Sequence, residues 1–332
     1  MDFKSLIQDI RGKKFKPVYL LHGEEPYYID VLTKEFQSNV LEPYEKDFNE
    51  TIFYGKEVNV LQLISEAKGF PMMAERRLVL VKEAQEMKDL DAFETYLNQP
   101  SPSTVVVFAH KHKKIDARKK IAKLFPKVGE VFLSERVRDY QLVDWISKYM
   151  ATTDYKITGK AAIMLADFLG NDLSRITNEL DKLALLIEKG STINEVHIEE
   201  NIGISKDYNV FELSKAVSSN DFEKAMKIVL YFHHNPKTGP LVVVISTLFN
   251  LFSQLMKVNF APNKSPEALA SLLGIAPFIT KDLLIATRVF DRKKIASNIS
   301  ILHEYDLKSK GINSASYEEY DLMVEMIYKL MH

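Results

Sequence analysis

The sequence contains no cysteine, and its charges of opposite sign cancel. Because none of its 332 residues is Cys, the chain has no disulfides, thiol nucleophiles or cysteine-ligated zinc and iron–sulfur sites. Its 44 Lys and Arg against 45 Asp and Glu give a net charge of -1. This balance argues against a protein that coats nucleic acid by its overall charge, although a local basic patch is compatible with it.

Long apolar runs are also missing. No stretch reaches the roughly 18 uninterrupted apolar residues that a membrane-spanning helix needs. The longest candidate, residues 240–252, contains Ser246, Thr247 and Asn250 and predicts a buried helix. Residues 1–6 show no apolar core of signal-peptide length. We expect a soluble cytoplasmic protein with no membrane contact.

A phosphate-binding loop is the third absence. The apolar run 17–23 leads into Glu24, Glu25 and Pro26, where a nucleotide-binding protein would have Gly, four residues and then Gly-Lys-Ser/Thr. Two carboxylates repel phosphate, and a proline removes a backbone donor. The apolar run 78–81 ends in Lys82, a cation at the place where an ATPase needs a magnesium-binding acid. We predict no catalytic residue, no metal site and no cofactor.

Two periodicities divide the chain. Up to about residue 139, short apolar runs alternate with helical stretches, which predicts an α/β domain with a parallel sheet covered by helices. The predicted strands are 18–22, 51–54, 78–81, 104–109 and 128–133, and the predicted helices are 27–40, 58–68, 89–98 and 117–125.

After residue 138 the strand signals stop and the predicted fold is all-α. A small helical domain at 140–207 contains helices at 159–169 and 173–187, the second with Asn171-Asp172 as N-cap and Gly190 as C-cap. A polar linker at 204–209 leads to a helical bundle at 208–332, with breaks at 235–236, 261–263 and 311–313.

One apolar group between a predicted helix and a predicted strand is a candidate partner-binding site. It consists of Phe70, Met72 and Met73. Methionines adapt to irregular pockets, and an aromatic side chain beside them is typical of an interface hot spot. The alternative is that the three residues cover the sheet edge as part of the core, and the residues alone favour this alternative.

A basic stretch follows the fourth predicted strand. Residues 111–127 hold eight Lys or Arg and one acid, Asp116. The candidates for contact with a DNA backbone are Lys111, Lys113, Lys114, Arg118 and Lys119. The alternative is a solvated helix face, which the neutral overall charge favours.

Several segments resemble one family, the delta subunit of the bacterial DNA polymerase III clamp loader. They are PVYLLHGEE at 17–25, FPMMAERRLVLV at 70–81, LGNDLS at 169–174, NELDKL at 178–183 and DLKSKG at 306–311. Their order and spacing extend the resemblance over nearly the whole chain.

The resemblance implies a fold and a function. The implied fold is an AAA+-like parallel-sheet domain at 1–139, a helical lid at 140–207 and a helical collar at 208–332. The implied function is a non-catalytic subunit, without an ATP site of its own, that binds and opens the sliding clamp during DNA replication. The family's clamp-opening element is a short helix with two apolar side chains just before the Arg-Arg strand, and its positions fall on Met72 and Met73.

The implied partners are the sliding clamp (the beta subunit), the ATPase and delta-prime subunits of the loader, and primed DNA through the complex. Two other functions stay open from the residues. One is an ATP-hydrolysing AAA+ enzyme with a divergent phosphate loop. The other is a DNA-binding adaptor that uses residues 111–127.

Overall fold

The chain forms two compact units, Met1–Arg136 and Val137–His332. The structure, a computed structural model, describes residues 2–203, 205, 207–275, 277–312 and 318–332. Of the predicted linker and breaks, Ile204, Lys206 and Asn313 lie outside the described residues.

The first unit is built on a parallel sheet. Its strands are β1 Val18–Gly23, β2 Glu50–Tyr54, β3 Arg77–Lys82, β4 Thr104–His110 and β5 Glu130–Ser134. They pair in the order β2-β3-β4-β1-β5, and every pair is parallel. All residues of β1 and β4 are buried, as expected for central strands covered on both faces. The five predicted strands and their parallel arrangement are confirmed.

Helices cover both faces of this sheet. They are α1 Phe3–Arg11, α2 Pro26–Asn39, α3 Lys46–Asn49, α4 Val60–Lys68, α5 Glu94–Leu97 and α6 Lys120–Val128, with 3-10 turns at Pro43–Glu45, Ala84–Glu86 and Leu90–Phe93. One core layer lies under α1 and α2, and the other lies under α4, α5 and α6. The single helix predicted at 89–98 is wrong, because a 3-10 turn precedes the short α5 there.

The second unit is almost entirely helical. Its helices are α7 Asp139–Met150, α8 Gly159–Leu169, α9 Leu173–Leu186, α10 Glu195–Ile202, α11 Val210–Ser218, α12 Phe222–His234, α13 Leu241–Phe260, α14 Pro266–Leu273, α15 Pro277–Val289, α16 Arg292–Ser309 and α17 Glu319–Met331, with a 3-10 turn at Pro236–Thr238. The α/β plus all-α fold class is confirmed. The division of this unit at residue 207 into a lid and a collar stays a prediction.

Two local expectations in the second unit are wrong. Strands β6 Lys156–Ile157 and β7 Thr192–Ile193 form a short parallel ladder in a region where no strand was predicted. Helix α9 begins as predicted, since Asp172 accepts a hydrogen bond from the Arg175 amide at 3.0 Å. It ends at Leu186, four residues before Gly190, because Ile187 already has extended backbone angles.

The most apolar helix, α13, has a buried face within the core of the second unit. Its buried residues recur at three- and four-residue steps: Leu241, Val244, Ile245, Leu248, Leu251, Phe252, Leu255 and Val258. By length and composition alone, residues 236–260 could cross a membrane. The packing of this face against α11 and α16 residues such as Leu213 and Leu302 accounts for the apolar composition without a membrane.

We expect Phe252→Ala to lower the free energy of unfolding by about 3–5 kcal/mol, because it leaves a cavity beside Phe290, whose ring centroid lies 5.2 Å from that of Phe252. The matched control is Phe249→Ala on the same helix, which removes a ring that is 46% exposed and should cost less than about 1 kcal/mol. Urea unfolding of both variants measures the difference. Equal losses would contradict the burial assigned to this face.

Candidate functional site

The loop between α4 and β3, residues 69–76, carries the candidate apolar group; we name it the apolar loop. The exposed fractions of Phe70, Met72 and Met73 are 86%, 60% and 101%. These side chains are therefore not part of the core, which was the alternative favoured by the residues alone. Residues 69–76 form bends and no helical turn, so the short helix that the resemblance implies is absent from this loop.

A buried asparagine fixes the middle of the apolar loop. Asn49, the last residue of α3, is fully buried. Its Oδ1 accepts a hydrogen bond from the Met72 amide at 2.7 Å, and its Nδ2 donates to the Met72 carbonyl at 2.9 Å. The backbone of the next residue, Met73, is in the left-handed region with φ of 51°, where residues other than glycine are uncommon. The loop thus has one defined backbone path at Met72 and Met73.

Arg77 fixes the loop at both of its ends. Its Nη2 donates to Glu66 on α4 at 2.7 Å. Its guanidinium also lies against Gly69, where an added Cβ would come within 2.1 Å of Nη1. The neighbouring Arg76 places its guanidinium 5.5 Å from the ring centre of Phe15, a cation–π distance. The loop is consequently closed against α4 before the chain enters β3.

Two exposed aromatic side chains lie on the segment that holds the loop, and the sequence analysis missed them. Tyr44 is 76% exposed and Phe48 is 65% exposed. Phe48 directly precedes Asn49, so this segment is next to Met72 in space. A spacing of four residues places both rings on one side of a helical turn. Two large rings among the charged residues 42–50 were the available signal.

The carboxyl end of β1 is where a nucleotide would bind in a competent relative of this fold class. There, α2 presents its N-terminus, the position at which helix amides hold phosphate. Glu25 caps it: its side chain accepts a hydrogen bond from the Tyr27 amide at 3.0 Å, and the residue is only 5% exposed. A carboxylate of the chain itself thus accepts a hydrogen bond from one of the first amides of α2.

The backbone around Gly23 is closely packed as well. Gly23 has φ of 143°, and an added Cβ would lie 1.9 Å from the Ser134 carbonyl oxygen. The Ser134 hydroxyl donates to the Glu25 carbonyl at 2.6 Å, and Gly23 forms an isolated bridge with Lys113. The segment after β4 therefore folds over this end of the sheet.

Two buried histidines hold that segment in place. His22 Nδ1 accepts a hydrogen bond from the Ile115 amide at 3.1 Å, and His110 Nδ1 lies 3.0 Å from the Lys113 carbonyl oxygen. Burial lowers the pKa of His22 to about 4 and also lowers the pKa of His110. Within the described residues, no group of three His, Asp or Glu side chains could hold a metal ion.

Most of the candidate DNA-contact residues are paired with carboxylates. Lys111 lies 2.7 Å from Asp30 and 3.0 Å from Glu83. The other ion pairs are Lys114–Glu135, Arg118–Asp116 and Lys119–Asp91. Lys113 is exposed. These pairs agree with the solvated-face alternative, since each neutralises a charge that DNA would need. The assignment to DNA stays a prediction.

The buried histidines predict a pH dependence of stability. Because the pKa of His22 is about 4 in the folded protein and about 6.5 in an unfolded chain, the unfolded state binds more protons between pH 6.5 and 4. The free energy of unfolding should therefore fall as the pH falls through this window. In the variant His22→Asn, the Asn Oδ1 can still accept from Ile115. Between pH 7 and pH 5 this variant should lose about 2 kcal/mol less stability than the wild type. Equal losses in denaturant unfolding would show that the pKa of His22 is the same in the folded and unfolded states.

Comparisons with known proteins cover nearly the whole chain. A family model described as DNA polymerase III, delta subunit, matches residues 19–133. DNA polymerase III subunit delta of Bacillus subtilis (strain 168) is 27% identical over 314 residues, which are 91% of this chain and 90% of that protein. A probable DNA polymerase III subunit delta of Aquifex aeolicus (strain VF5) is 23% identical over 225 residues, or 64% and 62% of the two chains.

The fold has a solved counterpart. The Bacillus subtilis DNA clamp loader delta protein is similar to this chain with a TM-score of 0.55 and 22% identity, over 99% of both chains. The family match, the full-length relative and the shared fold agree with the segments that suggested the resemblance. The predicted resemblance to the delta subunit of DNA polymerase III is thereby confirmed, by the family model over residues 19–133 and by the Bacillus subtilis relative over 91% of the chain.

Proposed function

We propose that this chain is the non-catalytic clamp-loader subunit that binds the sliding clamp and opens it through the apolar loop. The observation that carries the proposal is the exposure of Phe70, Met72 and Met73 on a loop whose backbone is fixed. Large apolar side chains grouped on a surface are typical of a protein-binding site. The resemblance to the delta subunit of DNA polymerase III suggests the partner, the sliding clamp, in the cytoplasm where replication takes place.

The apolar loop can supply enough free energy to act on a protein interface. Burying both methionines in a partner's pocket would contribute roughly 3–6 kcal/mol. Binding opens a ring only if the open form is bound more tightly than the closed form. A pocket beside the clamp's subunit interface that admits both side chains only when the interface is parted would provide this difference.

A loop whose backbone is already ordered loses less conformational entropy when it binds a partner. Residues of a mobile loop would lose backbone conformational freedom on binding, at about 1–2 kcal/mol each. Here the hydrogen bonds to Asn49 and the packing of Arg77 order the backbone before the partner arrives.

We infer that the chain does not use ATP itself. Glu25 caps α2 with its own carboxylate, and the Ser134 carbonyl leaves no space for a side chain at Gly23. Phosphate at this helix would meet a negative charge in place of free amides. The energy of ATP would then reach the clamp through the ATPase and delta-prime subunits, and primed DNA would be held by the assembled complex.

We expect Met72→Ala combined with Met73→Ala to raise the Kd for the isolated clamp roughly 100-fold or more, because both apolar anchors are lost. Titration of labelled clamp with the full chain measures it. The matched control is Leu185→Ala with Leu186→Ala, which truncates two adjacent side chains that are 86% and 67% exposed in the second unit.

The control should bind the clamp as the wild type does, and both double variants should keep the wild-type Tm since all four side chains are exposed. Unchanged clamp affinity of the methionine variant would remove the apolar loop from the proposed function. An equal loss of clamp affinity in both double variants would show that the effect is not specific to the apolar loop.

We expect no saturable binding of Mg-ATP by the purified chain at millimolar nucleotide, and no hydrolysis above background. Calorimetric titration and a phosphate-release assay check this, with the loader's ATPase subunit as the positive control. Stoichiometric binding would favour the other candidate function, an ATP-hydrolysing AAA+ enzyme with a divergent phosphate loop.

A further inference from the structure

Asn49 uses its whole side-chain amide on the backbone around the apolar loop. Oδ1 accepts from the Met72 amide, and Nδ2 donates both to the Met72 carbonyl and to the Glu45 carbonyl, the last at 3.0 Å. Asn49 itself is fully buried, and its bonds to Met72 are part-buried, so water has less access to them than to an exposed pair. The amide thus bonds both polar backbone groups of Met72, as a neighbouring strand would, and ties them to the turn before α3.

Apart from the bonds to Asn49, few contacts within the chain order the centre of the apolar loop. Phe70, Met72 and Met73 direct their side chains to solvent and bury little surface within the chain. Met73 also has a left-handed backbone that is uncommon for a residue with a Cβ. Arg77 acts at the loop's ends. The two hydrogen bonds between the Asn49 side chain and the Met72 backbone therefore hold this part of the loop on one path.

We propose that Asn49 is a positioning residue for clamp binding, which acts by keeping the apolar loop in its binding-competent conformation; this rests on the proposed function. If only a fraction of molecules hold the loop correctly, the observed Kd rises by the inverse of that fraction. Two lost hydrogen bonds, together with the left-handed residue they support, lower that fraction by roughly 10-fold or more.

The test compares three variants of the full chain in titrations with the isolated clamp. Asn49→Ala removes all three bonds and should raise the Kd roughly 10-fold or more. Asn49→Asp keeps the shape and the acceptor for the Met72 amide but places an oxygen against two carbonyls, so it should weaken binding too. The control is Asn298→Ala: Asn298 is equally buried, and its Nδ2 donates to the Leu330 carbonyl at 2.9 Å in the other unit.

Two further measurements separate positioning from general destabilisation. Amide hydrogen exchange without the clamp should rise within residues 69–76 of Asn49→Ala and stay unchanged in β1 and β4. In a cycle with Met73→Ala, the effect of Asn49→Ala should shrink, because the side chain it positions is already truncated. Asn298→Ala should lower Tm and leave the clamp Kd within about twofold of wild type.

The outcomes distinguish this inference from the function on which it rests. Wild-type clamp affinity in Asn49→Ala, while the double methionine variant loses binding, would overturn the role of Asn49 and leave the proposed function standing. Unchanged affinity in both would overturn both. If Asn49→Ala does not fold, the clamp affinity of Asn49→Asp decides between these outcomes, because the volume of aspartate is nearly that of asparagine.

Discussion

The constraint on which this account depends is that three large apolar side chains stay in water without folding back onto the sheet. An unrestrained loop would lower its free energy by burying Phe70, Met72 and Met73 against its own surface. Here the Met72 backbone is bonded on both sides to Asn49, and Arg77 closes the loop against α4. The chain thus keeps this apolar surface exposed to solvent, while its core packs independently of that surface.

The apolar loop and Gly23 lie at opposite edges of the sheet. All strands are parallel, the loop leads into the first residue of β3, and Gly23 is the last residue of β1. Ligands of open α/β sheets bind outside the carboxyl ends of the strands. Glu25, His22 and Ser134 fill that edge with contacts internal to the chain. The contacts that fill the carboxyl edge are therefore separate from those that hold the proposed clamp-binding loop at the other edge.

The sequence predicted the sheet well because each buried strand leaves a short apolar run with clear boundaries. It did not predict the contacts from α3 and Asn49 that support the apolar loop. Helix α3 has four residues, too few for a helical period, and Asn49 reaches Met72 across 23 positions of sequence. Exposure of Met72 and Met73 could not be read from residue type, since methionine is usually buried. The β6–β7 ladder could not be predicted, because each of its strands has only two residues and so shows no alternating pattern.

The basic stretch at 111–127 also shows that contacts between distant residues could not be predicted from the sequence. Its density of charge is plain in the sequence, but Asp30 and Glu83, which pair with Lys111, are distant in sequence and are brought near it only by the fold. Local patterns thus located the elements, whereas contacts between distant residues decided which side chains were free to act.

The most direct measurement is amide hydrogen exchange of the full chain with and without saturating sliding clamp. The account predicts new protection concentrated in residues 69–76 and in the adjoining 43–49, with the carboxyl edge around residues 22–26 and 110–115 unchanged. Protection confined to the carboxyl edge or to the helical unit, with the loop exchanging as in the free chain, would contradict it.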